Sequence, residues 1–267
     1  MVPTELPEHR RCRSLVRPTF VTLLFAIIVS IFLSQTAFAK ENAKTKNDGF
    51  VPMFDGKTLD GWKVSEPKAA KSWYVRDGLL VGEGDKGRCY LVYQKNKDVA
   101  DFEMKFAYRF PGEGNSGVNL RARKDKTGNR DYQAYHVDIG HVGIGPQVLG
   151  AWDFHTPGRK EHRCFRGESL VIDKDDKPTL TKIKDAVSLK DIKKNGWNEV
   201  HVIVKGNRYW FSINGKPSAE FVEHLPEEKR LKSGEIQLQL HDPGMFVEFK
   251  DLWIKVLDEP KPKKVAK

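Results

Sequence analysis

Large apolar residues recur at every second position in segment after segment of this chain. A period of two is the signature of strands with one buried face. In Asp101-Phe102-Glu103-Met104-Lys105-Phe106-Ala107-Tyr108-Arg109-Phe110, five large apolar side chains fall on one face. Val118, Leu120 and Ala122 alternate with Asn119, Arg121 and Arg123. Val200, Val202 and Val204 form a third stripe, Tyr209, Phe211 and Ile213 a fourth. Ile236, Leu238 and Leu240 alternate with Gln237, Gln239 and His241, and Leu252, Ile254 and Val256 close the series.

Asp77-Gly78, Lys205-Gly206-Asn207 and Asn214-Gly215 punctuate these runs as hairpin turns, because Gly and Asn accept the positive φ that tight turns require. Helical periodicity is weak, with Leu180 to Lys194 the one candidate helix and Pro226 to Leu231 a single turn. Many short strands separated by such turns imply an all-β fold built as a sandwich or barrel. With 39% hydrophobic residues in 267, there is apolar material for one sizeable core. We expect a single domain over residues 49–258, without internal repeats.

The flanks differ. Basic residues from His9 to Arg13, an apolar run from Phe20 to Leu33 and Ala37-Phe38-Ala39 give the three parts of a secretory signal. Residues 1–39 are therefore expected to be a cleaved signal peptide, with secreted or periplasmic localisation; an uncleaved anchor is the alternative. The apolar run is short for a membrane span, so none is expected after cleavage. Residues 40–48 read as a polar linker and 259–267 as a basic tail. The formal charge of +10 is spread along the chain and accompanies no nucleic-acid motif, so no nucleic acid is expected as a partner. Beyond the leader, Cys89 and Cys164 remain. They either pair, as an oxidising compartment permits, or sit buried as small hydrophobes. The sequence does not mark an oligomeric state.

If the apolar faces pack together, the opposite faces show what a sheet offers to a ligand. They carry Asn119, Arg121 and Arg123 on one strand and Gln237, Gln239 and His241 on another. From Tyr132 to Ile139, Tyr132, Ala134, His136 and Asp138 lie on one side and Gln133, Tyr135, Val137 and Ile139 on the other. Amides, guanidinium, imidazole and carboxylate suit a carbohydrate, whose hydroxyls both donate and accept. Trp152, Trp62, Trp73 and Tyr135 are available to stack on a sugar ring. The plain alternative is an outer face that is merely solvated.

Eight segments in order resemble a known family. They are Phe50 to Trp62 (FVPMFDGKTLDGW), Trp73 to Gly78 (WYVRDG), Asp101-Phe102-Glu103, Asn115 to Arg121 (NSGVNLR), Asn195-Gly196-Trp197-Asn198, Ile213-Asn214-Gly215, Gly234 to His241 (GEIQLQLH) and Val247 to Leu252 (VEFKDL). This order is similar to that of the DUF1080 family, the 3-keto-disaccharide hydrolase or 3-keto-glucoside lyase/hydratase domain. Lys250-Asp251 stands where the family usually has Arg-Asn, and Asp131 to Ala134 lacks a glycine of the family pattern. The resemblance implies a concanavalin A-like jelly-roll sandwich of two antiparallel sheets. It also implies cleavage of glycosides whose C3 hydroxyl has been oxidised to a ketone, by hydrolysis or by C2-proton elimination and hydration.

That chemistry needs a base for the C2 hydrogen, a group for the enolate oxygen and an acid for the leaving oxygen. On the polar faces, Asp138 and His136 are candidates for base or metal ligand, and His241 for acid or ligand. Arg121 is the candidate for the developing oxyanion. Asn115 and Gln239 would orient hydroxyls, with Trp152 and Tyr135 as further substrate-binding residues. The sequence marks no cofactor; a divalent cation could serve as a Lewis acid. Asp173, Asp175 and Asp176 lack the Gly and terminal Glu of an EF-hand and read as a charged loop. Two rivals share the fold: a non-catalytic, lectin-like sugar binder and a structural cell-envelope domain. Convergence of His136, Asp138 and His241 in one cleft favours the enzyme, and aromatics along a shallow groove favour the lectin. A sheet face covered by loops favours the structural role.

Overall fold

A computed structural model describes residues 49–145 and 147–257. The expected signal peptide (1–39), linker (40–48) and basic tail (259–267) lie outside the described residues.

Two sheets stack face to face. One holds seven strands in the order β10 (Arg163–Cys164), β9 (Trp152–His155), β8 (Tyr132–Gly140), β7 (Asn115–Lys124), β16 (Glu235–Leu240), β5 (Cys89–Tyr93) and β2 (Trp62–Val64). The other runs β12 (Pro178–Lys182), β11 (Glu168–Ile172), β15 (Lys216–Glu223), β14 (Arg208–Ile213), β13 (Asn198–Lys205), β6 (Phe102–Arg109), β17 (Phe246–Val256), β4 (Leu79–Glu83) and β3 (Trp73–Arg76). A short β1 (Val51–Pro52) lies against β17. Pairing is antiparallel except between β11 and β15. This is the expected all-β jelly-roll sandwich of the concanavalin A-like type. Among the described residues no helix is long and apolar enough to cross a membrane.

The apolar stripes read from the sequence form the layer between the sheets. Val118, Leu120, Ile236, Leu238 and Leu240 of one sheet meet Phe102, Met104, Phe106, Val202, Tyr209 and Phe211 of the other. Aromatic rings fill the centre: Tyr209 stacks on Phe221 with centroids 4.0 Å apart, and Tyr135, Trp152 and Phe154 crowd round Phe221 edge-on or tilted.

Three expectations change here. Leu180 to Lys194 is no helix: it contributes to edge strand β12, then a loop with one 3-10 turn at Leu189–Asp191. Its polar, fully exposed strand pairs with β11, so hydrogen bonding to a neighbour outweighs its weak helical pattern. Trp62, Trp73, Trp152 and Tyr135 are buried in the core and do not face a sugar. Trp152 and Tyr135 sit at inward positions of β9 and β8, where an aromatic ring gains most by leaving water.

Arg121 also turns inward. A register shift in β7 between Leu120 and Arg123, with Arg121 at φ +49°, reverses the alternation at that point. The guanidinium is buried and donates to the carbonyls of Ala100, Gly206 and Leu231 and to the Tyr209 hydroxyl, and it pairs with Asp101 at 3.0 Å. It is a structural clamp away from the candidate site, so the oxyanion role read for it is corrected.

Cys89 and Cys164 are both buried and unpaired. Four strands separate β5 from β10 in the same sheet. At about 4.8 Å per strand the two lie more than about 20 Å apart, whereas a disulfide needs Cα atoms within about 7 Å.

Candidate active site

Hydrogen-bonding register draws the polar face of the seven-stranded sheet into rows. Gln237 on β16 lies opposite Asn119 on β7, Asn119 opposite His136 on β8, and His136 opposite Asp153 on β9. Asn119 Nδ2 donates to Gln237 Oε1 at 3.0 Å, so Asn119 Oδ1 is left to accept from His136 Nδ1 at 2.7 Å. Nδ1 therefore carries the proton, and Nε2 of the neutral ring keeps its lone pair, 3.6 Å from Asp138 Oδ1.

The NSG segment makes this possible. Ser116 Oγ donates to the Gln239 carbonyl at 2.6 Å, tying β7 to β16. Gly117 leaves the space that the His136 ring occupies, since a Cβ there would lie 2.0 Å from Nε2. His155, two residues beyond Asp153 on the same face of β9, stacks on His136 with centroids 4.8 Å apart. Its Nε2 is 3.5 Å from Asp153 Oδ2, and Arg163 Nε is 3.5 Å from Asp153 Oδ1.

His136, Asp138, Asp153, His155 and Arg163 line one cavity of about 330 Å3, together with Arg88, Arg130, Asn115, Val148, Gln239 and His241. Of the sequence-predicted residues, Asp138, His136, His241, Asn115 and Gln239 are thus brought together; Arg121, Trp152 and Tyr135 are not. Asn115 Oδ1 is buried without a hydrogen-bond partner. At the rim, Arg88 meets His241 Nε2. A guanidinium only donates, so Nε2 accepts and Nδ1 donates to Asp242 at 2.6 Å.

The environment pushes the two carboxylates apart. Burial raises Asp138 well above the usual carboxylate range; the nearby Asp153 charge adds to this and Arg163 opposes it. Burial also works against the charge on Asp153. There the hydrogen bond and charge of His155, with the charge of Arg163, outweigh it, and its pKa falls. Asp138 therefore holds a proton where Asp153 is ionised. Burial, then the His155 charge, depresses His136 well below its ordinary value, so it stays neutral. The cavity thus offers a proton-holding acid, unprotonated imidazole nitrogen and guanidinium groups. Among the described residues no three His, Cys, Asp or Glu side chains are arranged to hold a metal ion. Arg88, Arg130 and Arg163 bring positive charge to the cavity wall, where a developing oxyanion could meet it.

Asp153, His155, Arg88, Arg130 and Arg163 were not picked out from the sequence. For the first two a signal existed: Trp152-Asp153-Phe154-His155 alternates apolar with polar, and burying Trp152 and Phe154 puts Asp153 and His155 on the outer face. The arginines belong to loops or an edge strand, and only the fold brings them in.

Comparisons with known proteins agree with this architecture. A protein of Bacteroides thetaiotaomicron named 3-keto-disaccharide hydrolase is 28% identical over 96 residues. That stretch is 31% of this chain and 32% of the relative, so the match spans about a third of the relative's length. The crystal structure of a candidate glycosyl hydrolase from Parabacteroides distasonis superposes with a TM-score of 0.54 at 22% identity, covering 80% of this chain and 97% of that one. A second such structure from the same organism gives 0.50 at 18% identity, covering 78% and 99%. Both likenesses concern the fold. The sequence profile of the 3-keto-alpha-glucoside-1,2-lyase-like domain matches residues 49–255, nearly the whole described chain, and the protein belongs to that family.

Proposed function

We propose that this protein is an exported carbohydrate-active enzyme that cleaves the glycosidic bond of 3-keto-glycosides. The observation that carries the reading is the meeting of Asp138, His136, Asp153, His155 and His241 in one cavity on a jelly-roll of this family. The ketone at C3 acidifies the C2 hydrogen. An imidazole, His155 oriented by Asp153 or His136 through its free Nε2, takes that proton. The C2–H electron pair moves into the C2–C3 bond and the ketone oxygen becomes an enolate, which Arg88, Arg130 or Arg163 stabilises. The enolate re-forms the ketone as a C1–C2 double bond forms and the C1–O bond breaks. Asp138 gives its proton to the departing oxygen. Water added later across the new double bond completes a net hydrolysis.

A second reading rests on the opposed carboxylates. Asp138 as acid and Asp153 as ionised partner also suit direct hydrolysis, in which two carboxylates flank the bond. The four aromatics read from the sequence as a lectin-like platform, Trp62, Trp73, Trp152 and Tyr135, are buried and do not serve one.

The test is incubation of the protein, freed of residues 1–39, with a 3-keto-disaccharide and its unoxidised parent, with and without chelator. Release of reducing sugar from the oxidised substrate alone is expected. Asp138→Asn, His136→Ala, His155→Ala and His241→Ala should each slow it by a factor of about a hundred or more. Release from neither substrate would remove the enzymatic reading.

A further inference from the structure

Arg88, Arg130 and His155 border the cavity around Asp138 and His136 on one side. The same three side chains wall a second hollow of about 590 Å3, which Tyr90 and Tyr132 also line. These two tyrosines meet edge to face with centroids 5.3 Å apart. Tyr132 is shared in turn with a third hollow of about 440 Å3, lined by Lys97, Arg123, Lys124 and Glu235 among others. One strand lies under all three. On β8, Asp138 and His136 face the first hollow, and Tyr132 reaches the second and third. Positions 132, 134, 136 and 138 share a strand face, and the six steps from 132 to 138 measure about 20 Å.

The walls are held in place. Arg130 grips Glu161 through two hydrogen bonds of 2.9 and 2.6 Å, joining the loop between β7 and β8 to the loop between β9 and β10. Glu161 also accepts from the Thr156 amide at 3.2 Å. The Lys124 ammonium lies 5.1 Å from the centre of the Tyr132 ring. A groove fixed in this way costs little ordering on binding.

The first cavity, at about 330 Å3, lies at the small end of the roughly 300–1,000 Å3 typical of ligand pockets. It suits one sugar ring, and the side chains common to both hollows lie between it and the second. We propose that the substrate is an oligosaccharide longer than a disaccharide. Its ketone-bearing ring occupies the first hollow, and the leaving-group side runs along β8, over Tyr132, into the third. This proposal rests on the 3-keto-glycoside reading of the first hollow and adds the length of the substrate to it.

The test uses 3-keto di-, tri- and tetrasaccharides extended on the leaving-group side. We expect kcat/KM to rise by about tenfold or more along the series, as remote binding contributes to the transition state. Tyr132→Ala and Lys124→Ala should each flatten that rise, read as the ratio of tetrasaccharide to disaccharide rates within one variant. Calorimetry with the unoxidised oligosaccharides separates the groove from the chemistry. Binding that tightens with length in a protein that turns over none of the keto substrates supports the groove and counts against the reaction. Binding and kcat/KM both independent of length would overturn the proposal, whatever the turnover.

Discussion

Gly117→Ala is the sharpest perturbation of the site, because the wild-type residue acts by being small. Its backbone lies outside the left-handed region, so the cost of the substitution is steric. The new methyl would lie 2.0 Å from His136 Nε2, 2.3 Å from its Cε1 and 2.5 Å from the Val137 carbonyl oxygen. Favourable contact begins near 3.5 Å. The ring cannot step aside without losing the 2.7 Å bond to Asn119 and the stack on His155. Nor can the carbonyl move freely, since it belongs to the β7–β8 pair. Overpacking of this kind costs about 1–3 kcal/mol, and loss of the Asn119 bond adds about 1 kcal/mol. The sum corresponds to a fall of roughly 5–15 °C in Tm for a domain of this size. Differential scanning calorimetry measures it, with Gly112→Ala as control, where an added Cβ meets nothing within 4 Å. Activity on a 3-keto-disaccharide, assayed well below the lowered Tm, should fall by a factor of about a hundred, as for direct loss of the imidazole. Wild-type Tm and wild-type turnover in Gly117→Ala would refute the packing of His136 described above.

Three further predictions follow from separate parts of the molecule. Arg121→Met should destabilise the protein by about 3–5 kcal/mol, because it removes the cation paired with Asp101 and leaves three carbonyls without its donors; kcat of the folded protein should stay at the wild-type value, and a selective loss of kcat would return Arg121 to the chemistry. Asp138 has a folded pKa raised above its ordinary value of 3.8, so the folded state binds more protons than the unfolded state and loses stability as pH rises through this window. Asp138→Asn escapes that loss, so in urea titrations its stability relative to wild type should grow as pH rises above about 4; a constant difference would contradict the raised pKa. Finally, both thiols should react with a thiol reagent only after denaturation, and Tm should not change with reductant; a disulfide-linked Cys89–Cys164 peptide in a digest would contradict the separation of β5 and β10.

Much of the fold was legible because strand parity is a local property. The stripes at Val118, Leu120, Ile236, Leu238 and Leu240 became the core as read, and the same parity put His136, Asp138 and Gln239 on the opposite face. Parity failed at Arg121, where a bulge reverses it, and no residue type announces a bulge in advance. Trp152-Asp153-Phe154-His155 alternates in the same way, and that alternation places Trp152 inside although its residue type suits a sugar platform. Arg88, Arg130 and Arg163 could not be found this way at all. They reach the cavity from a position before β5, from the loop between β7 and β8, and from edge strand β10, and their meeting is a product of sheet order.

Turnover of a 3-keto-disaccharide carrying deuterium at C2 of the oxidised ring tests proton removal by the paired imidazoles most directly. The reaction should run several times slower than with hydrogen at C2 and should release the label into water. Full retention of deuterium in the sugar product at an unchanged rate would contradict C2 abstraction and leave direct displacement by the carboxylates as the route.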